Sequence, residues 1–286
     1  MASMRDIKRR KTSIQSTQQI TKAMKLVSTV KLQRAKNAAE KSKTYFNAMY
    51  KTVSSMLAKS ANIVHPYLSG NEDGKKAVIA ITSNRGLAGG YNSNIVKLIT
   101  NNEYFSKDDT VIYAIGKKGR DTLLRRGYEV KESYIEEINA PLYADAQDIC
   151  KTILKAYSDG EISEIYLAYT VFKNTVSQVP SIIKLLPVTL DETAEDVKSD
   201  NVLMNFEPSE EEALDLIIPK YITSLIYGAM VEAVASENGA RMQAMDSATS
   251  NAEEMISSLE LSYNRARQGH ITQELTEIIG GAEALS

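Results

Sequence analysis

Residues that break helices are missing from long stretches at both ends of this chain. The first 65 residues contain no glycine and no proline, and both types are sparse after Ser209. Because glycine and proline are the residues least favourable to a helix interior, each stretch predicts one long helix. Apolar residues in both stretches follow steps of three and four, the spacing of a single helical stripe. Neither helix can bury its stripe alone, so we expect the two to pair with each other or with a partner.

The limits of the two helices can be predicted from local signals. The N-terminal helix is expected over residues 3–60, about 87 Å at 1.5 Å per residue, and Pro66 with the glycines that follow should end the helical region. A capping box at Ser209–Glu212 predicts the start of the C-terminal helix. Pro219 should kink that helix near its start.

Charge favours pairing between these two helices. Residues 1–60 hold 14 basic and two acidic residues, whereas residues 208–286 hold four basic and 13 acidic ones. Opposite charge on two long helices sets the choice of partner. If Val64 lies level with Ser209 in an antiparallel pair, paired residue numbers add to about 273, which places Met24 near Thr249 and Met1 near Thr272.

The centre of the chain alternates between strand and helix. Strands are predicted at Ala77–Thr82, Val111–Ile115, Glu164–Phe172 and Thr175–Val188, and helices at Asn92–Asn101, Lys117–Arg126 and Ala144–Tyr157. This alternation indicates a doubly wound, mostly parallel sheet. The predicted fold is therefore α/β, with a long antiparallel coiled coil of the terminal helices (residues 1–65 and 208–286) and a central α/β domain (66–207). Residues 191–207 are expected to form a loop.

Composition excludes several classes of function. There is no apolar run of 18 residues and no apolar signal sequence after Met1, so a cytoplasmic chain without a membrane span is expected. Cys150 is expected to be a buried apolar residue, and His65 and His270 with one cysteine make a zinc site implausible. The basic N-terminal helix could contact nucleic acid, but no base-reading module is visible, and we expect none to bind.

A glycine-rich turn, Arg85–Asn92, stands between a predicted strand and a predicted helix. Phosphate-binding loops occupy such positions, yet the spacing fits neither the dinucleotide fingerprint nor the P-loop. The favoured interpretation is a tight turn with close packing, and a nucleotide site is the weaker alternative. No catalytic, cofactor-binding or metal-binding residue is predicted.

Four motifs resemble the gamma subunit of the F-type rotary ATP synthase, bacterial type. They are Ile20–Ser28 (ITKAMKLVS), Ser83–Asn92 (SNRGLAGGYN), Ala240–Met245 (ARMQAM) and Tyr263–Gln268 (YNRARQ) with Ile271–Glu274 (ITQE). The likeness runs from Met1 to Leu285 in the same order.

This resemblance implies a rotating central stalk in a peripheral complex on the cytoplasmic side of the cell membrane. The terminal helices would reach into a ring of three alpha and three beta subunits, and the α/β domain would lie against epsilon and the c ring. Proton flow would turn the c ring and this subunit with it, driving ATP synthesis or hydrolysis. ATP, ADP and Mg would bind on the partners, leaving this chain non-catalytic and touching the membrane only through the complex.

Matching positions imply the residues that contact other subunits. Met24 and Lys25 would meet the lower lobes of the catalytic subunits, and Arg241, Gln268, Thr272 and Glu274 would be the facing contacts on the C-terminal helix. Two other classes remain open, a generic coiled-coil scaffold and a nucleotide-binding α/β protein.

The end of the C-terminal helix is expected to extend beyond its partner helix. With paired numbers adding to about 273, residues from about Gln273 onward have no partner helix. The apolar side chains there, Leu275, Ile278, Ile279 and Leu285, would face water, and such a patch usually marks a binding surface. The hypothesis is that this tip docks in an apolar sleeve at the top of the alpha/beta ring as a bearing.

Overall fold

A computed structural model of the chain describes residues 4–59, 65–70, 74–188 and 209–284. The first helix, α1, covers Met4–Lys59, and the last helix covers Glu210–Ala284. Both predicted long helices are present, and the last one begins directly after Ser209, as the predicted capping box indicates. The predicted limits of the first helix, residues 3 and 60, lie outside the described residues. Val64 and the predicted loop at 191–207 lie outside the described residues.

Among the described residues, nine shorter elements lie between the two long helices. In chain order they are α2 (Pro66–Ser69), β1 (Lys75–Ile81), α3 (Tyr91–Thr100), β2 (Thr110–Ile115), α4 (Lys117–Arg125), β3 (Glu129–Tyr134), α5 (Tyr143–Ser158), β4 (Ile162–Phe172) and β5 (Gln178–Leu186), so the last helix is α6. The predicted strands and helices all occur, with ends shifted by a few residues.

The five strands form one sheet in the order β3-β2-β1-β4-β5. Every neighbouring pair is parallel except β4 with β5. In the central strand, Ile79 lies beside Tyr113 of β2 and Leu167 of β4. This order confirms the predicted mostly parallel sheet.

The sheet is covered on both faces. Side chains of one face, including Ile79 and Ile81 of β1, pack with α5, the first part of α6 and the end of α1. The opposite face, including Val78 and Ala80, packs against α3 and α4. Because β1 alternates its side chains between two apolar layers, its sequence is apolar at every position from Ala77 to Ile81, as expected for a buried parallel strand. The fold is thus doubly wound, as predicted.

Two elements of the described part of the chain were not predicted. Strand β3 is polar and mostly exposed, and it lies at an edge of the sheet, so its sequence lacks the apolar alternation of a half-buried strand. The short helix α2 begins at Pro66, with His65 as its N-cap, where the sequence predicted only the end of a helical region. Pro180 lies within β5, which forms the other edge and therefore tolerates proline.

The chain forms two compact units. Met1–Ser28 with Met242–Ser286 make one, here named the helical-pair unit, and Thr29–Arg241 make the other, named the sheet unit. Each long helix contributes to both units.

Among the described residues, α6 is the one helix long and apolar enough to cross a membrane by length and composition. Its apolar window of 18 residues has mean hydropathy 1.3, and half of that window is buried inside the fold. The core helix of a globular domain passes the same test. The absence of a membrane span therefore stays a prediction.

Candidate partner-contact surfaces

Within the helical-pair unit, α1 and α6 are joined by a ladder of polar contacts. The ladder consists of Lys11–Glu260 at 2.7 Å, Lys22–Glu253 at 3.2 Å, Lys25–Asp246 at 2.5 Å and the hydroxyls of Thr21 and Thr249 at 2.8 Å. The cations all come from α1 and the anions from α6. Opposite charge on the two helices therefore pairs them here, as the sequence predicted.

The direction and register of this pair are also as predicted. Residue numbers of the paired side chains add to between 270 and 275, which an antiparallel arrangement requires and which brackets the predicted 273. Met24 accordingly lies close to the level of Thr249. The predicted neighbour of Met1 cannot be compared, since Met1 lies outside the described residues.

The C-terminal end of α6 exposes apolar side chains. Leu275, Ile278 and Ile279 are 54%, 68% and 59% exposed, and every residue from Arg267 to Ala282 is exposed. The prediction that the tip faces solvent is confirmed for these residues, while Leu285 lies outside the described ones. A second exposed apolar set lies on α1, where Ile20, Leu26 and Val27 are more than half exposed.

The residues predicted to contact other subunits do not form one cluster. Met24 and Lys25 are half-buried on α1, at the level of Asp246. Gln268, Thr272 and Glu274 are exposed on α6, and Gln268 lies about 33 Å further along that helix at 1.5 Å per residue. The Thr272 hydroxyl donates to the Gln268 carbonyl at 2.9 Å, and Glu274 lies 3.2 Å from His270. The helical-pair unit thus presents at least two separate levels of predicted contact.

Arg241 differs from the other predicted contact residues. It belongs to the sheet unit, where it is 9% exposed. Its Nη2 lies 2.7 Å from a carboxylate oxygen of Glu237 and 3.3 Å from the carbonyl oxygen of Gly86. The structure therefore places this guanidinium against the glycine-rich turn of its own chain.

The turn after β1 is held by polar side chains at the end of that strand. The Ser83 N–H donates to the Asn92 side-chain oxygen at 2.8 Å, and the Asn92 amide donates back to the Ser83 hydroxyl at 2.8 Å. Gly89 has a φ of 55° and Leu87 a φ of 61°, both left-handed. The tight turn is as predicted, although one left-handed position is occupied by leucine rather than glycine.

Residues directly after β1 also cap the N-terminus of α4. The Lys117 N–H donates to the Asn84 side chain at 2.9 Å, the Lys118 N–H to the Ser83 carbonyl at 3.0 Å, and the Gly119 N–H to the Thr82 hydroxyl at 2.9 Å. The free N–H groups of a first helical turn are what an anion binds. Here those three groups are bonded to the chain itself. The sequence analysis placed Ser83 and Asn84 in a motif but did not predict that they cap α4. The signal available in the sequence was three polar residues, Thr82 to Asn84, directly after an apolar strand.

Burial raises the pKa of two ionisable groups, one beside the turn and one in the core, on α5. It raises the pKa of Tyr91 well above its usual 10, the nearby Glu237 carboxylate adds to the effect, and Arg241 opposes it. Burial also raises the pKa of the Cys150 thiol to about 11, as expected for an unreactive cysteine of the core. Within the described residues, no group of three or more histidine, cysteine, aspartate or glutamate side chains could hold a metal ion.

Together these features define a class of protein: an α/β unit with a covered parallel sheet, and paired antiparallel helices whose exposed ends are suited to contact with partners. Comparison with known proteins narrows the class. A family model described as ATP synthase matches residues 3–285. The ATP synthase gamma chain of Lachnoclostridium phytofermentans is 64% identical over 100% of both chains. A gamma chain of Acetobacterium woodii, described as sodium ion specific, is 40% identical over 99% of both.

The fold is also found in solved structures. A chain in the central stalk and c-ring structure of the Tetrahymena thermophila mitochondrial ATP synthase is similar with a TM-score of 0.63 and 24% identity, covering 80% of this chain and 99% of that one. The chain belongs to the ATP synthase gamma chain family. It is accordingly a subunit of an ATP synthase.

Proposed function

We propose that this chain is the rotating central stalk of an F-type ATP synthase and couples rotation of the c ring to ATP synthesis or hydrolysis in a ring of three alpha and three beta subunits. The observation that carries the proposal is the antiparallel pairing of α1 with α6, which leaves an exposed helix end. Long paired helices suit a shaft that transmits torque. The end-to-end identity to gamma chains supports the same function.

The predicted contact residues fit this role at two levels. Met24 and Lys25 would meet the lower lobes of the catalytic subunits, and Gln268, Thr272 and Glu274 would meet the ring nearer the tip. Because one asymmetric chain would face three equivalent catalytic sites, it could interact differently with each of them. Such a difference is required if rotation is to change the state of each site.

The nucleotide chemistry is assigned to the partners. ATP, ADP and Mg would bind on alpha and beta, and this chain would supply no catalytic group. The sheet unit would contact epsilon and the c ring, so that the chain reaches the cytoplasmic face of the cell membrane as a peripheral subunit. At the start of α4, the first N–H groups are bonded within the chain, so a phosphate would have to displace these bonds to bind at that helix N-terminus.

Co-purification of the full chain tests the proposal. A tagged chain expressed with alpha, beta and epsilon should recover all three in one complex that hydrolyses ATP. As a matched control, a complex prepared without this chain should lose coupling between hydrolysis and ion transport. Recovery of the chain alone, with ATPase activity unaffected by its presence, would argue for a generic scaffold instead.

A further inference from the structure

We propose that His65 and the short helix α2 form a clamp between the end of β5 and the beginning of α6. The described residues end at Val188 after β5 and resume at Ser209 before α6. Helix α2 is bonded to the chain on both sides of that gap, to Val188 through its backbone and to Asp215 of α6 through His65. His65 is the positioning residue of this clamp, a role that goes beyond the proposed function.

The first support is the hydrogen bonding of the His65 ring. The Tyr67 N–H donates to Nδ1 at 3.2 Å, so Nδ1 carries no hydrogen. The hydrogen of the neutral imidazole is therefore on Nε2, which lies 3.2 Å from Oδ1 of the Asp215 carboxylate and donates to it. One ring in one tautomer thus bonds to a backbone N–H of α2 and to a carboxylate of α6 at the same time.

The second support is that α2 depends on His65 for its start. With four residues, α2 is too short to be stable alone, because the first helical turn fixes several dihedral angles for one hydrogen bond. The His65 carbonyl accepts from the N–H groups of Leu68 and Ser69 at 2.9 and 3.0 Å. Its ring caps the Tyr67 N–H. The backbone and the side chain of His65 therefore both hold this helix.

The third support is burial. The side chain of His65 is 5% exposed, whereas that of Asp215 is 66% exposed. A polar ring so well covered is retained when its nitrogens are hydrogen-bonded inside the fold, because an unbonded buried polar group is costly. The carboxylate lies at the surface, so Asp215 can be replaced without opening the core.

The fourth support is the contact between α2 and the end of β5. The Val188 N–H donates to the Tyr67 carbonyl at 2.9 Å. A Cβ at Gly70, directly after α2, would lie 2.8 Å from Cγ of Pro187, so the two segments touch. Because the same short helix is bonded to Val188 and, through His65, to α6, it sets the distance between these two parts of the chain.

Nitrogen NMR of the full chain tests the tautomer. The sequence holds two histidines, so a chain labelled at histidine nitrogen gives signals from His65 and His270 alone, and His270→Gln assigns them. At about pH 8, where an ordinary imidazole is neutral, His65 should show a single tautomer with its hydrogen on Nε2. A hydrogen on Nδ1, or a mixture of both tautomers, would overturn the proposal, because the Tyr67 N–H would then lack its acceptor.

Amide hydrogen exchange on the isolated full chain tests the clamp itself. Asp215→Ala removes the acceptor of the Nε2 hydrogen and should accelerate exchange in α2 and at Val188 about fivefold, the size expected for one net hydrogen bond. Asp215→Asn keeps an acceptor oxygen and should have a smaller effect. Glu211→Ala removes an exposed acid one turn earlier on α6 and should leave these amides unchanged.

Three exchange results would count against the clamp. Unchanged exchange in α2 and at Val188 of a folded Asp215→Ala variant would mean that α6 does not hold α2. A uniform acceleration across the sheet unit would mean that Asp215 stabilises the whole fold. An equal effect of Glu211→Ala would mean a general response to charge at the start of α6. None of these results bears on whether the chain co-purifies with alpha, beta and epsilon, so this inference and the proposed function fail separately.

Discussion

At the residue scale, two buried tyrosines differ in whether their hydroxyl has a partner. The Tyr157 hydroxyl donates to the Pro66 carbonyl at 2.9 Å, whereas the buried Tyr91 hydroxyl has no hydrogen-bond partner. Tyr157→Phe should therefore lower the free energy of unfolding by about 1 kcal/mol, and Tyr91→Phe should leave it unchanged or raise it, because an unpaired buried polar group costs about 1–3 kcal/mol. Urea unfolding of both variants measures the difference. A loss above about 1 kcal/mol from Tyr91→Phe would contradict the prediction.

Two glutamates should respond to pH with opposite sign. Burial raises the pKa of Glu232 above 4.5, and a hydrogen bond from the Phe172 N–H partly offsets this. The folded state therefore holds the proton more tightly than the unfolded state does. As the pH rises from 4.5 through the folded pKa, this contribution to stability is lost. For Glu164, burial alone would raise the pKa, but the hydrogen bond and charge of Lys184 and the hydroxyls of Tyr104 and Tyr166 lower it below 4.5. The contribution of Glu164 to folding stability is therefore present above pH 4.5. It is lost as the pH falls through the folded pKa.

The two matched substitutions separate these cases. Glu232→Gln should stabilise the chain at pH 7, with the gain shrinking as the pH approaches 4. Glu164→Gln should destabilise it at pH 7, with the loss shrinking in acid. Unfolding free energies of both variants and the parent across this range test the signs, and two variants with the same sign at pH 7 would refute the assignment.

At the element scale, the chain just after β1 and the chain just before α4 approach each other at a glycine. A Cβ at Gly116, where φ is 95°, would lie 2.2 Å from the Thr82 carbonyl oxygen, whereas one at Gly160, where φ is 78°, would meet nothing within 4 Å. In both Gly→Ala variants, the left-handed backbone lowers the free energy of unfolding by about 1–2 kcal/mol. Only Gly116→Ala must also push α4 away from the strand, so its loss should exceed about 4 kcal/mol. Equal melting temperatures for the two variants would contradict the close approach.

The helical pair offers a charge-exchange test. Lys25 and Asp246 are 42% and 58% exposed in their side chains, so their pairing should contribute only about 0.2–1 kcal/mol. Lys25→Glu and Asp246→Lys should each destabilise the pair, and the double variant should regain the loss in a double-mutant cycle. If Lys25 also contacts a catalytic subunit, the double variant will recover stability in the isolated chain but not coupling in the complex. Additive losses would mean that the two side chains do not interact.

At the scale of the whole molecule, the exposed end of α6 is the feature to test. Truncation of residues 275–286 should change the stability of the isolated chain little, because the described side chains there are exposed. If the tip acts as a bearing in an apolar sleeve, the yield of complex should fall more than ATP-driven rotation in the complexes that form. Loss of all rotation in complexes assembled at full yield would show that the tip transmits torque.

Local sequence determined the elements whose signals lie within a few residues. The long helices follow from the missing glycine and proline and from their apolar spacing, and the central strands follow from apolar runs such as Ala77–Ile81. Pairing of α1 with α6 could also be predicted, because the first helix is rich in basic residues and the last in acidic ones, and the register followed from setting the end of one helix level with the start of the other. The polar edge strand β3 carried no such signal, since its strand conformation depends on the backbone bonds that β2 offers it.

Tertiary structure alone decided which groups meet across the fold. Nothing near Arg241 in the sequence indicates that its guanidinium reaches Gly86, 155 positions away, because that contact depends on how α6 packs beside the end of β1. The bonding of the first N–H groups of α4 to Thr82, Ser83 and Asn84 has the same origin, since parallel neighbouring strands bring their carboxyl ends to one edge. Periodicity and charge are properties of single segments, whereas these contacts require the topology of the sheet. For this reason the sequence by itself determined the helices, the strand type and the family, and packing determined the surroundings of each polar group.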